Sequence, residues 1–295
     1  MKYQSTFPHL YNPGHSACAG CGEAIAIRHL LTALGPNTIM TNATGCSEVT
    51  TTQYPLSAYK IPWLHSLFEN AAPVASGVLA ALKQKGLTKV QVVAVGGDGA
   101  TYDIGLGFIS ALWERQENIL YVCYDNEAYM NTGYQSSGAT PLGAFTTTTP
   151  PGKNSEGNNL IKKDMIGLAL AHRVPYIATA TSAYPLDIQA KAKKSLEIVG
   201  PKYLQILTPC VPGWGYDPAL TVELSKLAVQ SGLYPLLEII NGQFTKVQKI
   251  KPVPVTEYLK PQKRFAHLFK DEAGQQVIAK LQQIADENIK KYNLV

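Results

Sequence analysis

Apolar residues recur at helical spacing over Glu23–Leu34, EAIAIRHLLTAL, and the pattern stops at Gly35–Pro36, a strong helix terminator. A second helical pattern spans Asn70–Lys85, with Gly86 as its C-cap. Lys89–Val95, KVQVVAV, is β-rich and almost continuously apolar, as a strand covered on both faces of a parallel sheet should be. It runs directly into Gly96-Gly97-Asp98-Gly99. A helix is expected next over Asp103–Glu114, then a second buried strand, Ile119–Tyr124, which stops at Asp125–Asn126. The Gly-, Ser-, Thr- and Pro-rich stretch Asn131–Asn159 predicts a long loop, a length usually reserved for function or mobility. Alternation resumes with a helix at Ile161–Ala171, a strand at Tyr176–Ala180, a helix at Pro185–Lys194 and a strand at Tyr203–Leu207.

The βαβ order predicts an α/β fold, a doubly wound and mainly parallel sheet. Residues 1–245 are assigned to that domain, opening with an irregular arm to about Ser16. Residues 246–295, basic and proline-containing and then amphipathic over Glu272–Ile289, are expected to form a C-terminal arm packed on the main domain or on a partner subunit.

Composition narrows the class of protein. The chain has 295 residues and a formal charge of +5, too small and too dispersed for a nucleic-acid stripe. The N-terminus lacks the apolar core of a signal peptide, and no apolar run approaches the ~18 residues of a membrane span. A cytoplasmic location is therefore expected. In that reducing compartment the five cysteines are free thiols, catalytic groups or metal ligands rather than a disulfide framework.

Two constellations carry chemistry. At the first, Gly97 and Gly99 let backbone N–H groups approach a diphosphate at a turn that feeds a helix. Asp98 offers a carboxylate oxygen to Mg²⁺, and Asn126, ending the neighbouring strand, offers a second oxygen. An isolated GDG is more often a plain turn; its pairing with Asn126 across one crossover unit favours the thiamine-diphosphate signature. At the second, Cys18 and Cys21 form a C-x-x-C pair, Cys46 lies in NATGCS and Cys210 in LTPCVPGWG. Four loop thiols leave Zn(Cys)₄ or a [4Fe–4S] cluster open, and the single C-x-x-C pair suits the cubane better. Cys123 lies inside a hydrophobic strand and reads as core.

The segments ACAGCGE (Ala17–Glu23), NATGCS (Asn42–Ser47), LFEN (Leu67–Asn70), GGDGATYDIG (Gly96–Gly105) and YDNEAYMNTGYQSSGATP (Tyr124–Pro141) resemble the 2-oxoacid:ferredoxin oxidoreductase family, specifically its pyruvate synthase β subunits. The resemblance runs from about His15 to Cys210. It implies the thiamine-diphosphate-binding fold with an N-terminal iron–sulfur loop region, and a [4Fe–4S] cluster on Cys18, Cys21, Cys46 and Cys210. It also implies Mg²⁺ held by Asp98, Asn126 and the carbonyl of Ala128. Cofactor contacts are expected from Gly45, Cys46, Gly97, Gly99 and Asn131, with Asn131 and Glu23 as catalytic candidates. The activity implied is oxidative decarboxylation of pyruvate to acetyl-coenzyme A and CO₂, or the reverse, with ferredoxin as electron partner. An α subunit is expected to supply the glutamate for the aminopyrimidine, with ferredoxin-like γ and δ subunits completing the enzyme; Glu69 in LFEN reads equally as a helix-start residue. The isolated chain is accordingly expected to be inactive.

The remaining polar features read blandly. His15 and His65 beside the site segments are assigned to packing or hydrogen bonding. Lys249, Lys251, Lys260, Lys263 and Arg264 read as a solvated basic face, with attraction of coenzyme A or an acidic ferredoxin as the alternative. Competing functions are an oxalate or branched-chain 2-oxoacid oxidoreductase, a non-oxidative thiamine decarboxylase half with structural zinc, and an electron-transfer scaffold on a degenerate thiamine fold.

Overall fold

The computed structural model describes residues 9–53 and 57–295. The first eight positions of the expected N-terminal arm lie outside the described residues. In chain order the elements are α1 (Gly22–Leu34), β1 (Thr38–Asn42), α2 (Cys46–Val49), β2 (Trp63–His65), α3 (Ala71–Gln84), β3 (Gln91–Gly97), α4 (Leu106–Glu114), β4 (Leu120–Asp125), α5 (Met165–Ala171), β5 (Tyr176–Thr181) and α6 (Pro185–Ser195). They continue with β6 (Lys202–Leu207), α7 (Val211–Trp214), α8 (Thr221–Gln230), β7 (Leu237–Ile240), β8 (Gln243–Val247), α9 (Val255–Leu259) and α10 (Glu272–Lys291).

The strands form one sheet in the order β2-β1-β3-β4-β6-β5-β7-β8. The first six run parallel, and β7 and β8 each pair antiparallel to their inner neighbour. β4, β5 and β6 are buried along their whole length, which is why their sequences lack alternation. The period of two still sorts their side chains by face. Val93, Val95, Val122 and Tyr124 pack with α1 and α6, whereas Val92, Ala94, Tyr121 and Cys123 pack with α3, α4 and α5. A third apolar cluster lies against the loops beyond the sheet and joins Trp214 and Leu224 to Tyr258, Phe265 and Leu281. Residues 246–295 begin inside β8 and supply much of that cluster.

The strands expected from the sequence are present within two residues at each end, and eight elements were not foreseen: β1, α2, β2, α7, α8, β7, β8 and α9. β1 and β2 are short, and β8 is exposed along most of its length, so none carries a long apolar run. Two helix starts differ from expectation. The turn after Gly97 does not wait for Asp103; a π-helical turn occupies Gly99–Ile104, with the Gly105 N–H bonded to the Ala100 carbonyl at 2.9 Å. Such i→i+5 turns concentrate at functional sites. α5 begins at Met165 rather than Ile161, because Asp164 caps it by accepting from the Gly167 N–H at 2.8 Å. Lys162 and Lys163, just before, are drawn instead to Asp125 and Asp103. Among the described residues no helix is long and apolar enough to cross a membrane.

Candidate cofactor site

The register of the parallel strands brings four loops to one edge of the sheet. Asn42 aligns with Val95, Gly97 with Tyr124, and Asp125 with Leu207, so β1, β3, β4 and β6 all end at the same level. After β1 the chain turns outward to β2, and after β3 it turns the other way to β4. Open α/β sheets bind ligands in the crevice at such a switch point.

That crevice holds a cavity of about 30 Å³ lined by Thr44, Gly45, Cys46, Phe68, Gly97, Asp98, Gly99, Asn126 and residues 128–132. A Cβ added at Gly45 would meet nothing within 4 Å, and one at Gly97 only the Tyr124 carbonyl at 3.9 Å, so both glycines leave open space over the turn. Gly99 has a different reason to be glycine: a Cβ there would lie 2.3 Å from the Tyr129 ring. The Tyr129 hydroxyl in turn donates to the Gly99 carbonyl at 3.2 Å and to Asp103 at 3.1 Å.

Asp98 is buried, accepts a hydrogen bond from the Ser137 hydroxyl and takes the Asn126 N–H at 3.3 Å on Oδ1. Burial and the neighbouring Asp125 charge hold its carboxyl well above the usual carboxylate range. The inner end of the Asn126 carboxamide lies 2.7 Å from the Ala128 carbonyl oxygen and 2.9 Å from Asp98 Oδ1. With nitrogen inward it donates to both; with oxygen inward, the Asn126 oxygen faces the Ala128 and Asp98 oxygens, an arrangement that a cation between them would relieve. Mg²⁺–oxygen bonds of about 2.0–2.1 Å give an octahedron with edges of about 2.9 Å, so this spacing suits a magnesium ligand triad.

The four loop cysteines converge as well. Cys18, Cys21, Cys46 and Cys210 line a second cavity of about 210 Å³, together with Glu23, Asn131 and Pro209. This cavity shares Cys46, Asn126, Met130 and Asn131 with the first. Three of the thiols stand at helix starts: Cys21 and Cys210 occupy the residues just before α1 and α7, and Cys46 is the first residue of α2. The backbone amides of Glu23 and Ala24 favour the Cys21 thiolate, and that of Gly213 the Cys210 thiolate. Burial nevertheless pushes the Cys21 and Cys210 thiols up to about 12, and that of Cys46 higher still. Thiolates in this cavity therefore need positive charge beside them, as metal ligation provides. Among the described residues no three His, Cys, Asp or Glu side chains stand close enough to hold a single metal ion. The cysteines surround a space rather than meet at a point, and the oxygen triad contains only one carboxylate.

Glu23 lies buried at the rim of the cysteine cavity, its carboxyl lifted by burial to about 7 against the opposing pull of Ser47. Cys123 is fully buried in the sheet, away from both cavities. His15 stacks on Tyr11 with ring centroids 4.8 Å apart, and His65 Nε2 lies 2.9 Å from the Thr44 hydroxyl.

The basic-face reading fails for one residue. Arg264 is 2% exposed and pairs with Glu127 at 2.7 Å. Asp125, Glu127, Lys162 and Ser137 were also not read as site residues. The acidic pair flanking Asn126 at the end of a buried strand was the available signal, because buried carboxylates require cations from elsewhere in the chain.

Residues 43–206 match the family model described as thiamine pyrophosphate enzyme, C-terminal TPP binding domain. The chain is 53% identical over 292 residues to the pyruvate synthase subunit PorB of Methanosarcina barkeri, covering 98% of this chain and 99% of that one. It is 42% identical to the ketoisovalerate oxidoreductase subunit VorB of Pyrococcus abyssi, over 92% of this chain and 91% of the relative. Among solved structures, the fold is similar to the 2-oxoglutarate:ferredoxin oxidoreductase of Magnetococcus marinus, with a TM-score of 0.60 and 22% identity over 76% of this chain and 82% of that one.

Proposed function

Because the chain belongs to the family of the pyruvate synthase PorB subunits, within the 2-oxoacid:ferredoxin oxidoreductases, we propose that it is the subunit that holds thiamine diphosphate and a [4Fe–4S] cluster in an enzyme acting on pyruvate. The observation that carries this reading is the junction of two cavities. One lies over Gly97-Asp98-Gly99, the other among four cysteines, and Cys46, Asn126, Met130 and Asn131 border both. When bound, thiamine diphosphate supplies the electron sink for loss of CO₂ from a 2-oxoacid, and the cluster supplies the acceptor for the electrons.

In this reading Asp98, the Asn126 carboxamide and the Ala128 carbonyl hold Mg²⁺. Gly45, Gly97 and Gly99 keep side chains off the diphosphate. Cys18, Cys21, Cys46 and Cys210 each take one iron, so the sulfurs need to surround the cavity and not converge on one ion. Asn131, exposed where the cavities meet, is placed to hydrogen-bond a reacting group, and Glu23 is a proton-holding group beside the thiolates. The catalytic unit is completed by an α subunit carrying the aminopyrimidine glutamate, by γ and δ subunits, and by ferredoxin and coenzyme A, in the cytoplasm. Residues 246–295 act as a strap over the loops.

Anaerobic purification of the assembled enzyme tests the reading. A brown complex with about four irons per chain and bound thiamine diphosphate is expected. A colourless complex containing zinc overturns the cluster assignment. The 42% identity to a ketoisovalerate enzyme subunit favours a branched-chain 2-oxoacid as the second choice of substrate. Assay against a panel of 2-oxoacids decides between them: preference for pyruvate supports the proposal, and preference for a branched substrate replaces it.

A further inference from the structure

The loop that carries Asn126 and Ala128 is held from behind by buried charge. Lys162 Nζ lies 2.7 Å from Asp125 Oδ2 and 3.0 Å from Glu127 Oε1, bridging the two residues that flank Asn126. Arg264 Nη2 takes the other Glu127 oxygen at 2.7 Å. The guanidinium stacks on the Trp214 ring at 3.8 Å and donates to Gln262 Oε1 at 2.9 Å and to the Tyr258 hydroxyl at 3.2 Å. Trp214 closes the circuit by donating its indole N–H to the Asn126 carbonyl at 2.8 Å. None of Asp125, Glu127, Lys162 and Arg264 lines the cavity over Gly97–Gly99.

The backbone gives this anchoring a purpose. Glu127 has φ +69°, a left-handed conformation that a residue other than glycine keeps only where its surroundings over-determine it. Both of its carboxylate oxygens are fixed, one by each cation. The turn at 127 brings the Ala128 carbonyl back to within 2.7 Å of the Asn126 carboxamide. Charge is balanced in the same pattern. Lys162 and Arg264 neutralise Asp125 and Glu127, whereas Asp98, the carboxyl that faces the cavity, has no ion-pair partner among the described residues.

We propose that Arg264, acting with Lys162 through Glu127, is a positioning residue that presets the oxygen triad of the cation site. This rests on the reading that Asp98, Asn126 and Ala128 hold the divalent cation of thiamine diphosphate. Arg264 belongs to the chain's last fifty residues, so the segment after β8 sets the affinity of a site more than 130 positions earlier.

The test uses the assembled enzyme, stripped of thiamine diphosphate and magnesium by chelation and titrated with Mn²⁺ plus thiamine diphosphate. Binding is read from the manganese electron paramagnetic resonance signal. Arg264→Met alone leaves Glu127 with an unbalanced buried charge, so it is paired with Glu127→Gln to remove both charges together. Arg264→Lys keeps the charge but loses the stacked fork. As a control, Lys191→Met with Asp187→Asn removes a pair of 2.5 Å between a buried lysine and a half-buried aspartate on α6, remote from the site.

The folded double variant should bind Mn²⁺ with thiamine diphosphate about 10–100-fold more weakly, the usual cost of losing a partner that orients a metal ligand. Arg264→Lys should fall between it and the parent, and the α6 control should match the parent; iron content should be unchanged throughout. Double-variant and Arg264→Lys affinities within twofold of the parent's, or an equal loss in the control, overturn the role of Arg264 while leaving the site intact. A parent enzyme that takes up no Mn²⁺ with thiamine diphosphate overturns the site reading itself.

Discussion

Glu23 shows how burial turns a side chain into a pH-dependent liability. Its carboxyl is lifted from the usual 4.5 to about 7, so the folded chain favours the protonated form. A raised folded-state value means that stability is full below the unfolded-state value and falls as pH rises from there to the folded-state one. The loss accrues between about pH 4.5 and 7 and reaches on the order of 3 kcal/mol above it. Glu23→Gln should therefore raise the melting temperature little at pH 5 and by several degrees at pH 8; a gain independent of pH would refute the assignment. The cysteines separate in the same way by environment. Cys46→Ser should lower the iron content of the enzyme. Cys123→Ser, which buries a hydroxyl in the sheet, should keep all its iron and cost about 1–3 kcal/mol in urea unfolding. Loss of iron from both variants would remove Cys46 from special status.

Two glycines on either side of Asp98 serve the β3-to-α4 turn differently. A methyl at Gly97 fits the fold and projects into the cavity, whereas one at Gly99 strikes the Tyr129 ring. Gly97→Ala is thus expected to melt within about 1 kcal/mol of the parent, in the range of a strand glycine replaced without strain, yet to lose most of its thiamine-diphosphate affinity. Gly99→Ala should lose stability as well, because Tyr129 must leave its bonds to Gly99 and Asp103. Calorimetric binding and melting of both variants check the contrast; equal cofactor affinity in Gly97→Ala and the parent would show that the diphosphate does not lie over this turn. The π-helical turn belongs to the same device. It starts at Gly99 and is followed by Gly105, where a Cβ would lie 2.3 Å from the Ala100 carbonyl.

For the whole molecule, the segment after β8 closes the third apolar cluster over the loops at the sheet's ligand-binding edge. Val255, Leu259, Phe265, Leu268 and Leu281 are each no more than 3% exposed and pack in one cluster with Trp214 and Leu224. At ~1.5–3 kcal/mol for each large apolar side chain, their removal forfeits on the order of 10 kcal/mol, comparable to the whole stability of a typical domain. A chain ending at residue 245 should consequently be insoluble or lack a cooperative urea transition. A truncated chain that unfolds at the parent's midpoint would make residues 246–295 a separable arm.

The sequence alone determined the elements that are buried on both sides and the glycine turns between them. KVQVVAV and ILYVCY read as parallel strands because short, β-rich, mostly apolar runs suit a sheet covered on both faces, and their polar ends point to the chemistry. The candidate ligands Asp98, Asn126 and the four loop cysteines were legible for the same reason: polar or thiol groups set among Gly and Pro stand out against apolar strands. Only the tertiary structure decided what depends on partners distant in the chain. Arg264 looked like one more basic residue in a solvated run until the fold buried it against Glu127 and Trp214. Lys162 looked helical until two carboxylates drew it out of α5, and β1 and β2 are too short to declare themselves without β3 beside them. Local pattern records how a residue meets its neighbours and solvent; where a buried charge finds its counterion is settled only when the chain has closed on itself.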